Sequence, residues 1–253
     1  MIRVGVVGAA GRMGATVCDA VVAAEGLELA AAVDIVHSGG LVHGLTIESD
    51  LKALADARCD VVVDFTVADA ARTTLPWLAL HGMHAVVGTT GFSDDDIAGF
   101  GASFTGSNCL IAANFAIGAV LMMKFAEQAA PYFETAEIIE FHHNAKADAP
   151  SGTALATAQR MAAASQEWAK DPTTHEVVPG ARGGVGPAGI RVHGVRMMGM
   201  TASQEVILGT TGQTLTIRHD SHDRVSFMPG VVLACRKVAD LPQRLTMGID
   251  TLL

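Results

Sequence analysis

The sequence predicts an α/β protein with a doubly wound parallel sheet and a second domain of α+β type. Three observations favour this fold class. Short apolar runs alternate with segments of helical spacing in the first half of the chain, a glycine-rich turn follows the first run, and three strand-like runs follow one another near the end. Strands buried on both faces and alternating with helices form parallel sheets, whereas successive strands without helices form mixed or antiparallel ones.

The first half supplies the elements of the parallel sheet. Short apolar runs predict strands at 2–7, 27–33, 61–65, 84–87 and 109–112. Helical periodicity predicts helices at 13–24, 49–57, 68–81 and 93–100. The last of these opens with Ser93 and three aspartates, which suit the N-terminus of a helix through capping and the helix dipole.

The second half has a different order of elements. The pattern predicts helices at 116–130, 152–168 and 229–237, and strands at 136–141, 190–196, 205–208 and 214–219. Three prolines and five glycines between 170 and 189 predict an irregular loop. We therefore expect a dinucleotide-binding domain over 1–115, completed by 227–253, and a substrate-binding and oligomerisation domain over 116–226 built on an open mixed sheet.

Composition excludes several classes of function. The formal net charge of −9 is unsuited to nucleic acid or an anionic membrane, because both attract basic surfaces. No apolar run reaches the length of a membrane span, and the first residues suit a folded strand rather than a signal peptide. Four scattered cysteines without a CxxC pair fit neither a disulfide scaffold nor a zinc site. We expect a cytoplasmic protein.

A glycine-rich loop between the first strand and the first helix predicts a phosphate site. Its residues are Gly8, Ala9, Ala10, Gly11, Arg12 and Met13, followed by Gly14. Glycines let the backbone approach a pyrophosphate, which the N–H groups of the helix start then bind. Asp34 ends the second strand twenty residues after Gly14, where an acid accepts hydrogen bonds from the adenosine ribose. The chain is thus a Rossmann-type candidate for NADH, NADPH or both. We expect NADH to be accepted at least as well, since Asp34 repels a 2′-phosphate.

Two further turns lie where a doubly wound sheet places its ligands, beyond the carboxyl ends of the strands. One contains Gly88, Thr89 and Thr90, and the other contains Ala112, Ala113, Asn114 and Phe115. Exposed N–H, hydroxyl and amide groups at these turns suit the nicotinamide carboxamide and its ribose. Ordinary turns have the same composition, so a purely structural role remains the alternative.

The densest chemical segment runs from Glu140 to Ala154 and contains His142, His143 and Lys146. Ser151, Gly152 and Thr153 follow a proline and can open a helix whose free N–H groups bind a carboxylate. Lysine adds a positive charge, and histidine supplies a proton near neutral pH. The segment has the groups needed to bind a small carboxylate and protonate it.

Two other interpretations of this segment compete with the catalytic one. Adjacent histidines and an aspartate can ligate a metal, but neighbouring residues of a strand point to opposite faces, and a third suitably spaced histidine is missing. We therefore expect no metal. Histidines also occur in purely structural roles, although a lysine, a proline and a helix start beside them favour a site.

The segment from Glu140 to Ala154, together with the glycine loop, Gly88-Thr89-Thr90 and Asn114-Phe115 in the same order, resembles the dihydrodipicolinate reductase family over essentially the whole chain. The resemblance implies an NAD(P)H-dependent reductase that converts the cyclic 4-hydroxy-tetrahydrodipicolinate to tetrahydrodipicolinate in diaminopimelate and lysine biosynthesis. It also implies a homotetramer assembled through the sheets of the second domain.

The resemblance implies roles for individual residues. It makes His142 the proton donor and Lys146 the second catalytic residue. The residues that it implies for substrate binding are His143, Ser151, Gly152, Thr153 and Arg224, and those for the cofactor are the loop and turn residues given above with Asp34. Two positions depart from the family: Ala113 replaces a frequent proline, and Ala10 replaces a residue that is basic in some relatives, which weakens the case for NADPH.

Two other functions remain as alternatives. One is a different two-domain NAD(P)-dependent dehydrogenase, of aspartate or aldehyde type. A covalent aldehyde mechanism needs a positioned cysteine, which the histidine–lysine segment lacks. The other is a dinucleotide-sensing protein without catalysis, which the presence of His142 and Lys146 disfavours.

Overall fold

A computed structural model describes residues 1–253. The chain forms two compact units, of which the first comprises residues 1–115 and 224–253 and the second comprises residues 116–223. None of the helices is both long and apolar enough to span a membrane.

The chain forms strands and α-helices at the following positions. The strands are β1 (Ile2–Val7), β2 (Leu27–Val33), β3 (Leu41–Val42), β4 (Leu45–Glu48), β5 (Val61–Asp64), β6 (His84–Val87), β7 (Cys109–Ile111), β8 (Thr135–His142), β9 (Gly184–Val185), β10 (Arg191–Arg196), β11 (Ala202–Thr210), β12 (Gln213–Ser221) and β13 (Leu245–Met247). The α-helices are α1 (Arg12–Ala23), α2 (Lys52–Asp56), α3 (Ala68–Leu80), α4 (Asp94–Ser103), α5 (Ile117–Ala129), α6 (Gly152–Ala164) and α7 (Met228–Lys237).

The first unit is built on an eight-stranded sheet with the order β13-β7-β6-β5-β1-β2-β4-β3. All pairs are parallel except that of β3 with β4. Every residue of β5 and β7 is buried. Val17 of α1 and Leu75 of α3 are also fully buried. A parallel sheet that is covered by helices on both faces has strands with no solvent-facing side. The predicted doubly wound parallel sheet is confirmed.

The second unit is built on a mixed five-stranded sheet with the order β12-β11-β8-β10-β9. Strand β8 pairs in parallel with β10 and antiparallel with β11. Helices α5 and α6 pack together and against this sheet. Because side chains alternate along a strand, Ile138, Glu140 and His142 share one face of β8, and Glu137 lies on the other. This is the predicted α+β architecture with an open mixed sheet.

The structure differs from the sequence-based elements in two ways. Strands β3, β4, β9 and β13 were not predicted, since none of them contains the uninterrupted run of three apolar residues that marks the equally short β5, β6 and β7. The predicted end of the helix at 168 was wrong, because α6 ends at Ala164. Ser165 adopts an extended conformation there, with φ −139° and ψ 138°. The indole N–H of Trp168 donates to the Ser165 carbonyl at 2.9 Å, outside the helix.

Candidate active site

The glycine-rich turn after β1 packs closely against the start of α1. Gly8 has φ +80°, a conformation that side chains disfavour, and its N–H donates to the Val33 carbonyl at 2.8 Å. A Cβ atom on Gly14 would lie 1.9 Å from the Gly8 carbonyl oxygen, so only glycine fits. Gly11 precedes α1 and provides no side-chain cap. The first N–H groups of α1 are therefore left without a capping side chain, and this backbone cradle fits a pyrophosphate.

Asp34 lies at the carboxyl end of β2, where the sequence predicts a contact with the ribose. Its Oδ2 accepts the N–H of Ala10 at 3.1 Å, and its Oδ1 accepts the N–H groups of Val36 and His37 at 2.9 and 3.1 Å. A carboxylate has about four acceptor sites, so one on Oδ2 remains for a ribose hydroxyl. Asp34 thus also holds the glycine loop to the turn after β2.

A cavity of about 520 Å³ adjoins this carboxylate. Gly8, Gly11 and Asp34 line it together with exposed apolar side chains that include Ile35, Val36 and Val67. Apolar walls with a few polar groups are typical of ligand cavities. The cavity and the glycine cradle together fit the adenosine and pyrophosphate parts of a dinucleotide.

The turn after β6 differs from the prediction in one respect. The hydroxyl of Thr89 was expected to be exposed, but Thr89 is buried and donates to Oδ1 of Asp64 at 2.8 Å. The same hydroxyl accepts the N–H of Thr66 at 2.9 Å. Asp64 is fully buried, and a buried carboxyl group requires hydrogen-bond partners. The Thr89 hydroxyl is one of these partners and is therefore not free to bind a ligand. At this turn Thr90 is exposed and Gly88 is half-buried.

Asp64 is a buried residue that the sequence did not single out. Its Oδ1 accepts the N–H and the hydroxyl of Thr66, at 3.0 and 2.7 Å, besides the hydroxyl of Thr89, whereas its Oδ2 has no hydrogen-bond partner. Burial raises the pKa of Asp64, although the hydrogen bonds from Thr66 and Thr89 act in the opposite direction. This carboxyl group connects the turns after β5 and β6 at the carboxyl ends of the strands.

The turn after β7 is held by an aromatic contact. Phe115 is buried, and its ring centroid lies 5.7 Å from that of Phe65. The N–H of Ala112 donates to the Val87 carbonyl at 2.9 Å. Ala113 is exposed and Asn114 is half-buried. A buried ring thus anchors a turn that has alanine at the position of the expected proline.

In the second unit, His142 lies at the end of β8 and contacts a buried acid. Its Nδ1 lies 2.5 Å from Oε2 of Glu140, two residues earlier on the same face of the strand. Glu140 is fully buried, and Arg196 of β10 donates two hydrogen bonds to it, at 2.7 and 2.8 Å. Burial alone raises the pKa of Glu140, but the hydrogen bonds from Arg196 and His142 outweigh it and leave that pKa below its ordinary value.

The start of α6 is attached to the same acid. The N–H of Ser151 donates to Oε1 of Glu140 at 3.1 Å, and the Ser151 hydroxyl caps the helix by accepting the N–H of Ala154 at 3.2 Å. Gly152 is exposed and Thr153 is half-buried at the first turn. Glu140 therefore brings His142 and the predicted carboxylate-binding helix start together.

Lys146 and His143 lie in the loop between β8 and α6. The Lys146 ammonium donates to both carboxylate oxygens of Asp148, at 2.7 and 2.8 Å. The hydrogen bond from Lys146 lowers the pKa of Asp148, whose side chain is largely exposed. His143 is exposed on the same loop. The Asp148 side of this ion pair faces solvent, whereas Lys146 is about one-fifth exposed.

The remaining predicted substrate residue lies in the other unit. Arg224 begins a short 3-10 helix over Arg224–Phe227 and belongs to the first unit. His142, His143, Lys146 and the helix start at Ser151 all belong to the second.

Comparison with known proteins assigns the chain to a protein family. The family models described as dihydrodipicolinate reductase, N-terminus and C-terminus, match residues 2–115 and 118–253. The chain belongs to the dihydrodipicolinate reductase family. The 4-hydroxy-tetrahydrodipicolinate reductase of Thermobifida fusca is 54% identical over 260 residues, which cover 100% of this chain and 99% of that protein. The one of Cutibacterium acnes is 51% identical over 259 residues, with the same coverage.

A solved structure agrees with this family. The dipicolinate-bound dihydrodipicolinate reductase from Paenisporosarcina sp. TG-14 has a TM-score of 0.89 and 35% sequence identity, with 100% of both chains covered. The predicted resemblance is confirmed, and with it the assignment of the chain as an NAD(P)H-dependent oxidoreductase.

Sequence reasoning missed two residues of the His142 cluster. Glu140 was included in the segment from Glu140 to Ala154 but was given no function. The alternation of side chains along a strand nevertheless places it on the same face as His142. Arg196 is 56 residues from Glu140 in the chain. Its contact depends on the parallel register that sets Arg196 beside His142, which local patterns do not contain.

Proposed function

We propose that this chain reduces 4-hydroxy-tetrahydrodipicolinate to tetrahydrodipicolinate with NADH or NADPH, in diaminopimelate and lysine biosynthesis, and that His142 donates the proton. The observation that carries the proposal is the attachment of His142 and the start of α6 to one buried carboxylate, that of Glu140. A proton donor and a carboxylate-binding helix start are the two groups that reduction of a cyclic dicarboxylate requires.

A dinucleotide bound here would supply a hydride to the substrate ring, and the 4-hydroxyl group of the substrate would leave as water. We propose that Gly8, Ala9, Ala10, Gly11, Arg12 and Met13 hold its pyrophosphate. The oxygen of Asp34 that keeps a free acceptor site binds a ribose hydroxyl. The turns Gly88-Thr89-Thr90 and Ala112-Ala113-Asn114-Phe115 bind the nicotinamide end through their backbone groups, with the side chain of Thr89 committed to Asp64.

In this proposal the substrate carboxylates bind to positive and N–H groups, all of which belong to the second unit except Arg224. Lys146 exchanges its ion pair with Asp148 for one with a substrate carboxylate, as the second catalytic residue. Ser151, Gly152 and Thr153 bind a carboxylate at the first turn of α6, and His143 and Arg224 complete the set. Support comes from the relative of known structure, which is described as bound to dipicolinate, a cyclic dicarboxylate.

The assembly in this proposal is a cytoplasmic homotetramer formed through the second unit. Gly118 of α5 lies against His219, so α5 packs on the face of the sheet that carries His219 and Glu140. The opposite face carries Phe141 beneath the Arg218 guanidinium and has no helix of its own unit. All four cysteines are free and buried, which suits a reducing compartment. Native mass spectrometry measures the subunit number, and a monomer at micromolar concentration would contradict the tetramer.

Loss of the imidazole tests the function directly. We expect His142→Ala to lower kcat by about 10²- to 10⁴-fold, since a general acid contributes that much. The assay follows the absorbance of the reduced dinucleotide with enzymatically generated substrate, and the dinucleotide Kd should not change. His193→Ala is the matched control, because His193 lies on the same sheet and pairs with Glu137 rather than Glu140. No turnover by the natural chain would refute the proposal.

Cofactor preference is a second test. We expect kcat/KM with NADH to equal or exceed that with NADPH, because the Asp34 carboxylate repels a 2′-phosphate. Steady-state kinetics with each dinucleotide at saturating substrate measure the ratio. Preference for NADPH by an order of magnitude would contradict the role of Asp34 while leaving the reaction itself in place.

A further inference from the structure

The Glu140 carboxylate is fully buried and accepts hydrogen bonds on both of its oxygens. It accepts hydrogen bonds from His142, from both terminal nitrogens of Arg196 and from the N–H of Ser151. The paired guanidinium is about one-fifth exposed, whereas the carboxylate is fully buried. A bidentate guanidinium is the partner that keeps a buried carboxylate ionised.

An ionised carboxylate decides which nitrogen of His142 carries the hydrogen between them. A carboxylate can only accept hydrogen bonds, so the short contact requires the hydrogen on Nδ1. Because the Nδ1–H of this histidine donates to Glu140, Nε2 is the ring nitrogen that can exchange a proton with a ligand.

We propose that Glu140 is a positioning residue of the reaction, which holds His142 in the Nδ1–H form and leaves Nε2 to deliver the proton. This inference rests on the proposed function of His142. The imidazolium loses its Nε2 proton to the substrate and becomes neutral, with Nδ1–H still bonded to Glu140. A water proton then restores the acid. Free imidazole prefers no fixed orientation, so without the acid the ring would turn and change tautomer.

The same carboxylate sets the position of the substrate relative to this acid. Ser151 donates its N–H to Oε1, while His142 contacts Oε2, so one rigid group orients the proton donor and the start of α6. Arg196 extends the connection, because its Nη2 also donates to the Asp148 carbonyl at 2.8 Å. The loop that carries Lys146 is therefore attached to the same guanidinium.

The strand contains its own control. Glu137, three residues earlier, lies on the opposite face of β8 and also pairs with a histidine and an arginine, His193 and Arg182. This second group is about one-third exposed and lies outside the site. If pairing with histidine and arginine only stabilised the sheet, both glutamates would respond alike to neutralisation.

The first test reads the tautomer of His142 in the natural chain. Nitrogen NMR of isotope-labelled protein distinguishes Nδ1–H from Nε2–H, and His142→Gln assigns the signal among the ten histidines. We expect the neutral ring to be Nδ1–H, and we expect Glu140→Gln to raise the Nε2–H population. A natural chain in the Nε2–H form with a bare Nδ1 overturns the inference, and this measurement requires no variant of Glu140 to fold.

The second test is a double-mutant cycle on turnover. We expect Glu140→Gln to lower kcat by about 10- to 100-fold, a part of what a general acid contributes, with KM changed less because glutamine keeps an oxygen for the Ser151 N–H. In a His142→Gln background the same change should alter kcat by less than about 2-fold, as expected for residues that act as a unit. Glu137→Gln should leave kcat near that of the natural chain, and native mass spectrometry should show an unchanged subunit number, since Glu137 shares the face of Phe141 that is proposed for assembly.

The outcomes separate this inference from the proposed function. Equal losses with and without His142 would show that Glu140 acts independently of the imidazole, and a similar loss in Glu137→Gln would show a general structural effect. Either result overturns the positioning role. Absence of turnover in the natural chain refutes the proposed reaction instead, and the tautomer of His142 still decides the role of Glu140.

Discussion

Each unit of this molecule buries one carboxyl group completely, and the pKa values of the two groups are shifted in opposite directions. Asp64 in the first unit has only hydroxyl and N–H partners, and burial raises its pKa. Glu140 in the second unit is equally buried, yet its pKa is lowered because Arg196 and His142 outweigh the cost of burial. Equal burial therefore does not give the two acids the same direction of pKa shift, since charged neighbours oppose the effect of burial only at Glu140.

The difference matches what each carboxyl group connects. Asp64 joins two turns of the parallel sheet through Thr66 and Thr89, which are neutral groups. Glu140 joins a histidine, an arginine and a helix start, all of which favour a negative partner. The carboxyl group bonded only to neutral groups thus links two backbone turns, whereas the one paired with a guanidinium holds a histidine and a helix start.

Removing the charge that balances Glu140 should have the largest effect. We expect Arg196→Met to lower the free energy of unfolding by about 3–5 kcal/mol, because the variant leaves a buried carboxylate without its cation. Urea denaturation measures the change. Arg182→Met is the control, since its ion pair with Glu137 is about one-third exposed, and we expect a loss of about 1 kcal/mol or less. Equal losses would remove the contrast between buried and exposed pairs.

Neutralising Asp64 should change how stability depends on pH. A raised pKa means that the stability from this group is present below the unfolded pKa, about 4, and is lost as pH rises through the folded value. Asp64→Asn cannot ionise, so its stability relative to the natural chain should increase with pH, by at most about 1.4 kcal/mol per pH unit. Urea denaturation at several pH values between 4 and 8, about the range of a raised carboxyl, tests this. Parallel stability curves would show that Asp64 is not perturbed.

The two serine caps offer the smallest and most closely matched comparison. Ser93 caps α4 and Ser151 caps α6, each by accepting an N–H three residues later at 3.2 Å. Ser93→Ala should cost about 1 kcal/mol of unfolding free energy, which is typical of an exposed cap. Ser151→Ala should lower the unfolding free energy by up to about 2 kcal/mol. Ser151 is buried, so in the variant no water replaces the hydroxyl as the partner of the Ala154 N–H. Thermal unfolding measures both, and a larger loss at Ser93 would contradict the effect of burial.

Much of the fold was predictable because it depends on patterns within short segments. The capped start of α4 at Ser93 results from interactions among neighbouring residues, as does the hydrogen bond from the Gly11 N–H to the Gly8 carbonyl in the turn after β1. The same holds for the cap at Ser151, which follows a proline. The short strands β3 and β13 were not predictable, because neither contains a continuous run of three apolar residues, and β13 pairs with β7, which is far away in the chain.

The residue types of the candidate site were predictable from the sequence, but the hydrogen bonds between its distant residues were not. His142, Lys146 and the helix start are adjacent in the chain, so one segment contains them. The commitment of the Thr89 hydroxyl to Asp64 spans 25 residues, and that of Arg196 to Glu140 spans 56. Such contacts arise only when the strands align, and they decide which groups remain available to a ligand.

The amino-acid sequence alone thus determined the class of sheet, the family and the segment that carries the chemistry, because periodicity and motif spacing are local properties. Only the tertiary structure decided that the pKa of Asp64 is raised and that of Glu140 is lowered. The physical reason is that the charge of a buried acid depends on the dielectric around it and on the charged groups that packing brings within hydrogen-bond distance.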